Sequence, residues 1–177
     1  YCCGLRVSEV CNLQFRDVNL GAGLLTIRDP KNGCDRYIPF SDSVKEACIA
    51  YAEHIWWEKD TDYFFMAPDR TRISPMTIYQ RYRRYLIGAG ISHGGKGHGP
   101  RLHDLRHTFA VHVLQKWITE GADLTAMIPI LSAYMGHAGI RSTAQYLRLT
   151  AEVYPELMKQ VEETCAYVIP EVAYEGN

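Results

Sequence analysis

Two strings in the chain carry side chains that could act together on an anion. In HDLRH, His103 and Arg106 stand three residues apart at the start of an apolar-periodic stretch, so a helix would put both on one face. In MGHAGIRSTAQYLRL, His137 and Tyr146 stand nine positions apart, and the nearby glycines allow a sharp turn. The spacing predicts one site that brings together imidazoles, a guanidinium and a phenol.

A third string, GLRVSE, adds a second guanidinium near the start of the chain. Arg6 and Glu9 stand three residues apart on another predicted helix, where the carboxylate could orient the guanidinium. Such a set suits a phosphodiester, because its anionic oxygens repel nucleophiles and its pentavalent transition state concentrates negative charge. Arg6 and Arg106 would each grip nonbridging oxygens through two parallel donors, which lysine cannot do.

These strings resemble the tyrosine recombinase (phage integrase) family. The site of that family comprises an arginine in a GLR-x-SE context, a hairpin lysine, a His-x-x-Arg pair, a histidine or tryptophan after glycine, and a nucleophilic tyrosine. The resemblance runs from about Tyr1 to Lys159, and its motifs follow the family's order. It implies a site-specific DNA recombinase that integrates or excises a mobile element through a 3'-phosphotyrosyl intermediate, with no cofactor, metal or ATP.

The resemblance assigns a role to each group of the predicted site. Tyr146 would be the nucleophile, since a phenol can form a covalent phosphotyrosine that conserves the energy of the broken bond. Tyr134 and Tyr154 lack the family's separation from the Gly-His pair. His137 would donate to a nonbridging oxygen, while His103 would accept the phenolic proton or hold the phosphate.

The departing deoxyribose oxygen needs a proton, and the family assigns that step to a lysine on a hairpin. Lys31 in DPKNG matches this lysine, although exposed hairpin lysines are common without function, and Lys96 in a glycine-rich loop is a second candidate. Glu9 would tether Arg6 rather than react. Asp104 is predicted to be a helix N-terminal acid that the helix dipole favours.

The predicted helix from Ser74 to Ile87 resembles one that the family presents to the major groove of double-stranded DNA. Its bases, with one from the following loop, could neutralise phosphates, and two polar side chains could read base edges. The phosphate-binding residues would be Arg81, Arg83, Arg84 and Lys96, and the base readers Thr77 and Gln80. A charged, solvated helix face explains the RYRR run about as well.

Composition fits one globular domain but gives DNA binding little support. The 177 residues are 47% hydrophobic, and a formal charge of -1 with a pI near 6.7 offers no overall attraction to phosphate. The average hides a gradient, because residues 151–177 hold six acids against one base. Residues 1–150 carry 18 bases and 14 acids, so the body of the chain is mildly basic.

Cysteine spacing and hydropathy indicate the expected compartment. Six scattered cysteines without C-x-x-C spacing predict reduced, mostly buried thiols rather than disulfides or a zinc site. No apolar run approaches the roughly 20 residues that span a bilayer, and no secretion pattern opens the chain. We therefore expect a cytoplasmic, nucleoid-associated protein with no membrane partner and no metal.

Periodicity and turn signals predict a mainly α fold with a small antiparallel β-sheet, an α+β architecture. Strands are expected at 24–28 and 36–40 around Asn32-Gly33, with a short strand or extended segment at 63–67. Helices are expected at 5–15, 44–55 after a Ser43–Glu46 capping box, 74–87, 105–117, 124–135 with Pro129 restarting it, 140–149, and 153–165.

The predicted organisation has two parts. Residues 1–150 would form the catalytic core, and 151–177 a C-terminal helix and acidic tail that docks on a neighbouring protomer or packs against its own domain. The chain begins without Met, and by resemblance we expect upstream helices and an N-terminal DNA-clamping domain to be missing. The resemblance also implies a homotetramer on two DNA duplexes.

Three alternatives remain open at this point. A type IB topoisomerase-like enzyme would share the phosphotyrosine chemistry but relax supercoils as a monomer. A catalytically silent remnant would bind DNA without cutting it. His103 and His107, four residues apart, could instead ligate a metal, although no glutamate follows His103 as an HExxH site requires.

Overall fold

The computed structural model describes residues 1–28, 35–55, 62–92, 94 and 98–154, in two compact units that divide after Arg106. The first unit contains helix α1 (Val7–Asn12), a 3-10 turn (Phe15–Asp17), strands β1 (Val18–Asn19), β2 (Leu24–Ile27) and β3 (Arg36–Pro39), and helices α2 (Asp42–Ile55) and α3 (Pro75–Gly88). Helix α4 (Asp104–Thr119) begins at the end of that unit, and α5 (Leu124–Met135) and α6 (Arg141–Val153) follow. The predicted α+β class is confirmed.

The sheet is antiparallel with strand order β1-β2-β3. Leu25 lies opposite Ile38 in the β2–β3 register, and both are buried, as is Ile27 two residues further along β2. This alternation is that of a sheet with one face packed on a core. The two longer strands are confirmed, β1 was not predicted, and the Asn32-Gly33 turn lies outside the described residues.

Helix starts follow local hydrogen bonding, and one predicted start is wrong. The Ser74 hydroxyl accepts from the Thr77 N–H at 3.0 Å, which confirms the predicted cap of α3. Helix α2 begins at Asp42, and the Ser41 carbonyl accepts from the Lys45 N–H at 2.9 Å. Ser43 therefore lies inside the first turn and cannot be the N-cap.

Several other boundaries differ from the prediction. The expected helix at 5–15 is shorter, because α1 ends at Asn12 and a 3-10 turn follows. Of the two forms predicted for 63–67, a strand or an extended segment, the structure lacks the strand and has isolated bridges between Gln14 and Tyr63 and between Met66 and Arg72. Pro129 lies inside one continuous helix, and α6 extends past the predicted end at residue 149 to Val153.

The second unit has a compact apolar core on helices α4, α5 and α6. It consists of Ala110, Leu114, Ile118, Leu124, Ile128, Leu131, Met135, Tyr146 and Leu147. The α4 members recur every four residues, which places them on one face of that helix. Tyr146, the predicted nucleophile, is thus a member of the core.

The described cysteines are all free, but they are less uniformly buried than expected. Cys11 is buried, Cys3 and Cys48 are half-buried, and Cys2 is exposed. Burial is the main cause that raises the pKa of the Cys3 thiol to about 11. Among the described residues, no helix has the length and apolar character needed to traverse a bilayer.

Leu114→Ala should lower the free energy of unfolding by about 2 to 5 kcal/mol, because it leaves a cavity at a fully buried core position. Ile130→Ala, at an exposed position of α5, should change it by less than about 0.5 kcal/mol. Urea denaturation of both variants measures the difference. Equal effects would contradict the assignment of α4 to the core.

Candidate functional site

Glu9 organises the charged groups at the start of the first unit. Its Oε1 accepts from Arg6 Nη1 at 2.8 Å, and its Oε2 accepts from the Arg6 backbone N–H at 2.8 Å. The Oε2 atom also accepts from Arg36 Nη2 at 2.8 Å. The predicted contact between Arg6 and Glu9 is therefore present, and Arg36 on β3 is a partner that sequence reasoning missed.

The pKa of Glu9 reports the balance of forces on its carboxylate. Burial alone would raise this pKa, since a low-dielectric surrounding disfavours the charged form. Hydrogen bonds from the Arg6 backbone and from the Arg36 and Arg6 guanidiniums act in the opposite direction and prevail. The pKa of Glu9 consequently lies below its ordinary value, and the carboxylate stays ionised.

Arg106 is anchored to the same segment of chain. Its side chain is 3% exposed, and Nη1 donates to the Gly4 carbonyl at 2.6 Å. Gly4 has a φ of +57°, a conformation that glycine adopts without strain. The hydrogen bond therefore fixes the Arg106 guanidinium beside the turn that immediately precedes Arg6.

His103 differs from its predicted placement. Helix α4 begins at Asp104, so His103 precedes the helix rather than sharing a helical face with Arg106, and it is exposed. Asp104 accepts from the Arg101 backbone N–H at 2.8 Å and from its guanidinium at 2.8 Å. These contacts agree with the prediction that Asp104 is a helix N-terminal acid.

The Tyr146 phenol is fixed by an imidazole of the second unit. Its hydroxyl lies 3.1 Å from His107 Nδ1, and the two ring centroids are 5.4 Å apart. The residue is only 1% exposed. A buried phenol requires a hydrogen-bond partner. In the described part of the chain, His107 supplies it.

His137 approaches the same phenol from another direction. Gly136, with a φ of +64°, ends α5 in the left-handed conformation, as the predicted turn requires. The His137 ring then lies 6.0 Å from the Tyr146 ring, and its Nδ1 is 2.7 Å from Thr143 Oγ1. A Cβ at Gly139 would meet nothing within 4 Å, so the packing does not require that glycine.

The predicted DNA-binding residues on α3 do not share one environment. Gln80, Arg81 and Arg84 are exposed, as a surface that meets DNA would require. Arg83 is half-buried, and its Nη1 is buried with no hydrogen-bond partner in the described part of the chain. The Thr77 hydroxyl lies 2.9 Å from the Ser74 hydroxyl at the helix cap.

Lys31 and Lys96, the two candidates for protonating the departing oxygen, lie outside the described residues.

Three residues with direct contacts to the predicted site were given no such role from the sequence: Arg36, His107 and Thr143. His107 had been considered only as a metal ligand. Within the described ranges, no three histidine, cysteine, aspartate or glutamate side chains converge as metal ligands. The sequence could have placed Thr143 at the site, because it stands one helical turn before Tyr146 and lies on the same helical face.

Glu9→Gln should destabilise the protein at neutral pH and much less in acid. The folded-state pKa of Glu9 lies below its ordinary value of 4.5, so the ionised carboxylate stabilises the fold above that value. This contribution is lost as the pH falls from about 4.5 through the lowered pKa. Urea unfolding of wild type and variant across this range is the measurement, and a pH-independent difference would contradict the contact network.

His107→Ala and Tyr146→Phe should have non-additive effects on stability, because each removes one side of the same hydrogen bond. We expect a coupling energy of about 0.5 to 1.5 kcal/mol from the double-mutant cycle. His112→Ala, at an exposed position of the same helix, is the matched control and should combine additively with Tyr146→Phe. Additivity in the His107 cycle would show that the bond contributes nothing.

Comparison with known proteins gives a consistent result. The sequence matches the phage integrase family over residues 1–166. It is 33% identical over 163 residues to tyrosine recombinase XerA from Pyrococcus furiosus, covering 90% of this chain and 51% of that protein. A tyrosine recombinase from Pseudothermotoga lettingae is 31% identical over 164 residues, covering 92% and 52%. The chain thus spans about half the length of the curated relatives it matches.

Solved structures share the fold. The crystal structure of XerA recombinase superposes with a TM-score of 0.72 and 30% identity, covering 89% of this chain and 53% of that chain. The Tn1549 transposon integrase, solved in complex with circular intermediate DNA, gives a TM-score of 0.60 at 19% identity over 81% of this chain and 51% of that one. With the family match over nearly all its length, this chain belongs to the phage integrase family.

Proposed function

We propose that the chain is the catalytic part of a site-specific DNA recombinase that cuts and rejoins double-stranded DNA through Tyr146. The contact of the Tyr146 hydroxyl with His107 Nδ1, beside the His137 ring, carries this proposal. In the tautomer with hydrogen on Nε2, His107 Nδ1 is a proton acceptor at the phenolic oxygen. Family membership adds weight, since relatives are named tyrosine recombinases.

The proposed reaction is a transfer of the phosphoryl group from one oxygen to another. The Tyr146 oxygen bonds to phosphorus as its proton passes to His107 Nδ1, in the tautomer with hydrogen on Nε2. The bond from phosphorus to the deoxyribose 5' oxygen breaks, and Lys31 or Lys96 protonates that oxygen. Rejoining reverses these steps, so the energy of the phosphodiester is conserved without ATP.

Four further residues would stabilise the charge that develops on phosphorus. Arg6 and Arg106 would bind nonbridging oxygens through paired donors. Their fixed contacts with Glu9 and with the Gly4 carbonyl support this role, because ordered donors need no rearrangement in the transition state. His137, oriented by Thr143, would donate one more hydrogen bond, and exposed His103 would hold the phosphate.

The assembly would be a homotetramer on two DNA duplexes. In it, residues 151–177, of which 155–177 lie outside the described residues, would dock on a neighbouring protomer. Exposed Gln80, Arg81 and Arg84 of α3 would approach the groove. Integration or excision of a mobile element in the cytoplasm, at the nucleoid, is the biological setting we propose. The chain covers about half the length of these curated relatives, so the activity of the whole protein is part of this proposal.

A second candidate is a DNA-binding protein that does not cut. The observation that favours it is the burial of Tyr146, because a phenol that is 1% exposed cannot contact a phosphodiester without a conformational change. A topoisomerase-like activity has no such support in the structure, and supercoil relaxation without strand exchange would identify it.

Tyr146→Phe should abolish covalent attachment to DNA and leave DNA binding unchanged, because it removes the nucleophilic oxygen but keeps the ring that packs in the core. The substrate is a pool of end-labelled duplexes of randomised sequence, each nicked so that a short fragment is lost after cleavage. Complexes that survive denaturing gel electrophoresis measure attachment, and retention on a native gel measures binding.

Tyr154→Phe is the matched control, since Tyr154 ends α6 and should be dispensable. An adduct that persists in Tyr146→Phe would assign the nucleophile elsewhere. Wild-type retention of DNA without any adduct would favour the non-cutting candidate.

A further inference from the structure

Arg36 is a nearly buried cation for which the proposed reaction provides no task. Its side chain is 12% exposed, and Nη2 donates to Glu9 Oε2 at 2.8 Å. Arg6, which is 35% exposed, donates to the other oxygen of the same carboxylate at 2.8 Å. One carboxylate therefore serves two guanidiniums, one of them nearly enclosed and the other open to solvent.

A carboxylate that holds an arginine also reduces the attraction of that arginine for an anion, because its charge is opposite. A one-to-one pair of Arg6 with Glu9 would be neutral, and its attraction for phosphate would be small. With Arg36 included, the three side chains carry a formal charge of +1. Because Arg36 is enclosed and Arg6 is accessible, an anion would meet that excess charge at Arg6.

We infer that Arg36 is a positioning residue for anion binding by Arg6. It holds the Glu9 carboxylate in place and offsets its charge, so that Arg6 is oriented by a carboxylate and still acts as a cation. This inference rests on the proposed function, in which Arg6 binds the phosphate at the cleavage site. A purely structural ion pair would stabilise the fold but would leave the phosphate affinity of Arg6 unchanged.

Two substitutions separate charge from hydrogen bonding at this position. Arg36→Gln can still donate to Glu9 but carries no charge, whereas Arg36→Lys keeps the charge and loses the planar fork of donors. Titration with inorganic phosphate, followed at the Arg6 Nε–H nuclear magnetic resonance signal, measures affinity without any reaction. We expect Arg36→Gln to weaken binding roughly fivefold and Arg36→Lys less than about twofold, the scale of one charge at a partly exposed site.

The double variant Glu9→Gln/Arg36→Gln tests the charge account directly. It places two neutral amides beside Arg6 and restores the formal charge of +1, so phosphate affinity should return to within about twofold of wild type. Arg28→Gln is the control and should leave phosphate affinity within about twofold of wild type, because Arg28 pairs with Asp17 at 2.8 Å and not with Glu9. Thermal unfolding of each variant establishes that the titrated protein is folded.

Wild-type affinity in Arg36→Gln, or no recovery in the double variant, would overturn the inference. The nicked-duplex assay separates this outcome from failure of the proposed function. Absence of a wild-type adduct, with the phosphate results as expected, would reject the recombinase mechanism and leave the role of Arg36 intact. If wild type forms the adduct and Arg36→Gln keeps wild-type phosphate affinity, the recombinase mechanism stands and the role of Arg36 is rejected.

Discussion

The hydrogen bond between Tyr146 and His107 is the interaction on which the candidate site depends. A phenol in an apolar core must satisfy its hydroxyl or destabilise the fold by about 1 to 3 kcal/mol. His107 satisfies it from α4, while Thr143 and the His137 ring fix the surroundings from α6 and from the turn after α5. The group with the chemistry of a nucleophile is thereby also part of the packing. The contacts that stabilise the core of the second unit consequently also orient the Tyr146 hydroxyl.

A different principle governs the charged groups of the first unit. The Arg6 and Arg106 guanidiniums are both fixed by an acceptor of the protein. Arg106 is bound by a backbone carbonyl, which takes a hydrogen bond without cancelling the charge, whereas Arg6 is bound by a carboxylate, which does cancel it. Arg36, the second arginine on Glu9, brings the formal charge of the Arg6 arrangement to +1, which equals the charge of Arg106 on its carbonyl.

Much of this architecture could be predicted from the sequence, because it rests on local signals. The hairpin strands, the Ser74 cap and the apolar repeat of α4 were all specified by near neighbours, and the paired histidine and tyrosine of the last motif were specified by a fixed spacing. Contacts between distant positions were not accessible in this way. Nothing in the local sequence relates Arg36 to Glu9, since their pairing depends on how β3 lies against the segment that holds α1. His107 was missed for another reason, because its neighbour Arg106 carried the recognisable motif. Helix ends such as those of α1 and α2 depend on single hydrogen bonds, and a shift of two residues changed the assignment of a cap.

Helix α6 carries both the phenol and the hydroxyl that orients His137, one turn apart. A movement of α6 as a rigid helix that brings Tyr146 out of the core therefore displaces Thr143 as well. His137 would lose its alignment at the moment the phenol is freed, and would regain it only when α6 settles against a new partner. The helix would then couple exposure of Tyr146 to misalignment of His137. Because His137 would not yet be oriented towards the phosphate, cutting before α6 reaches its new position would be suppressed.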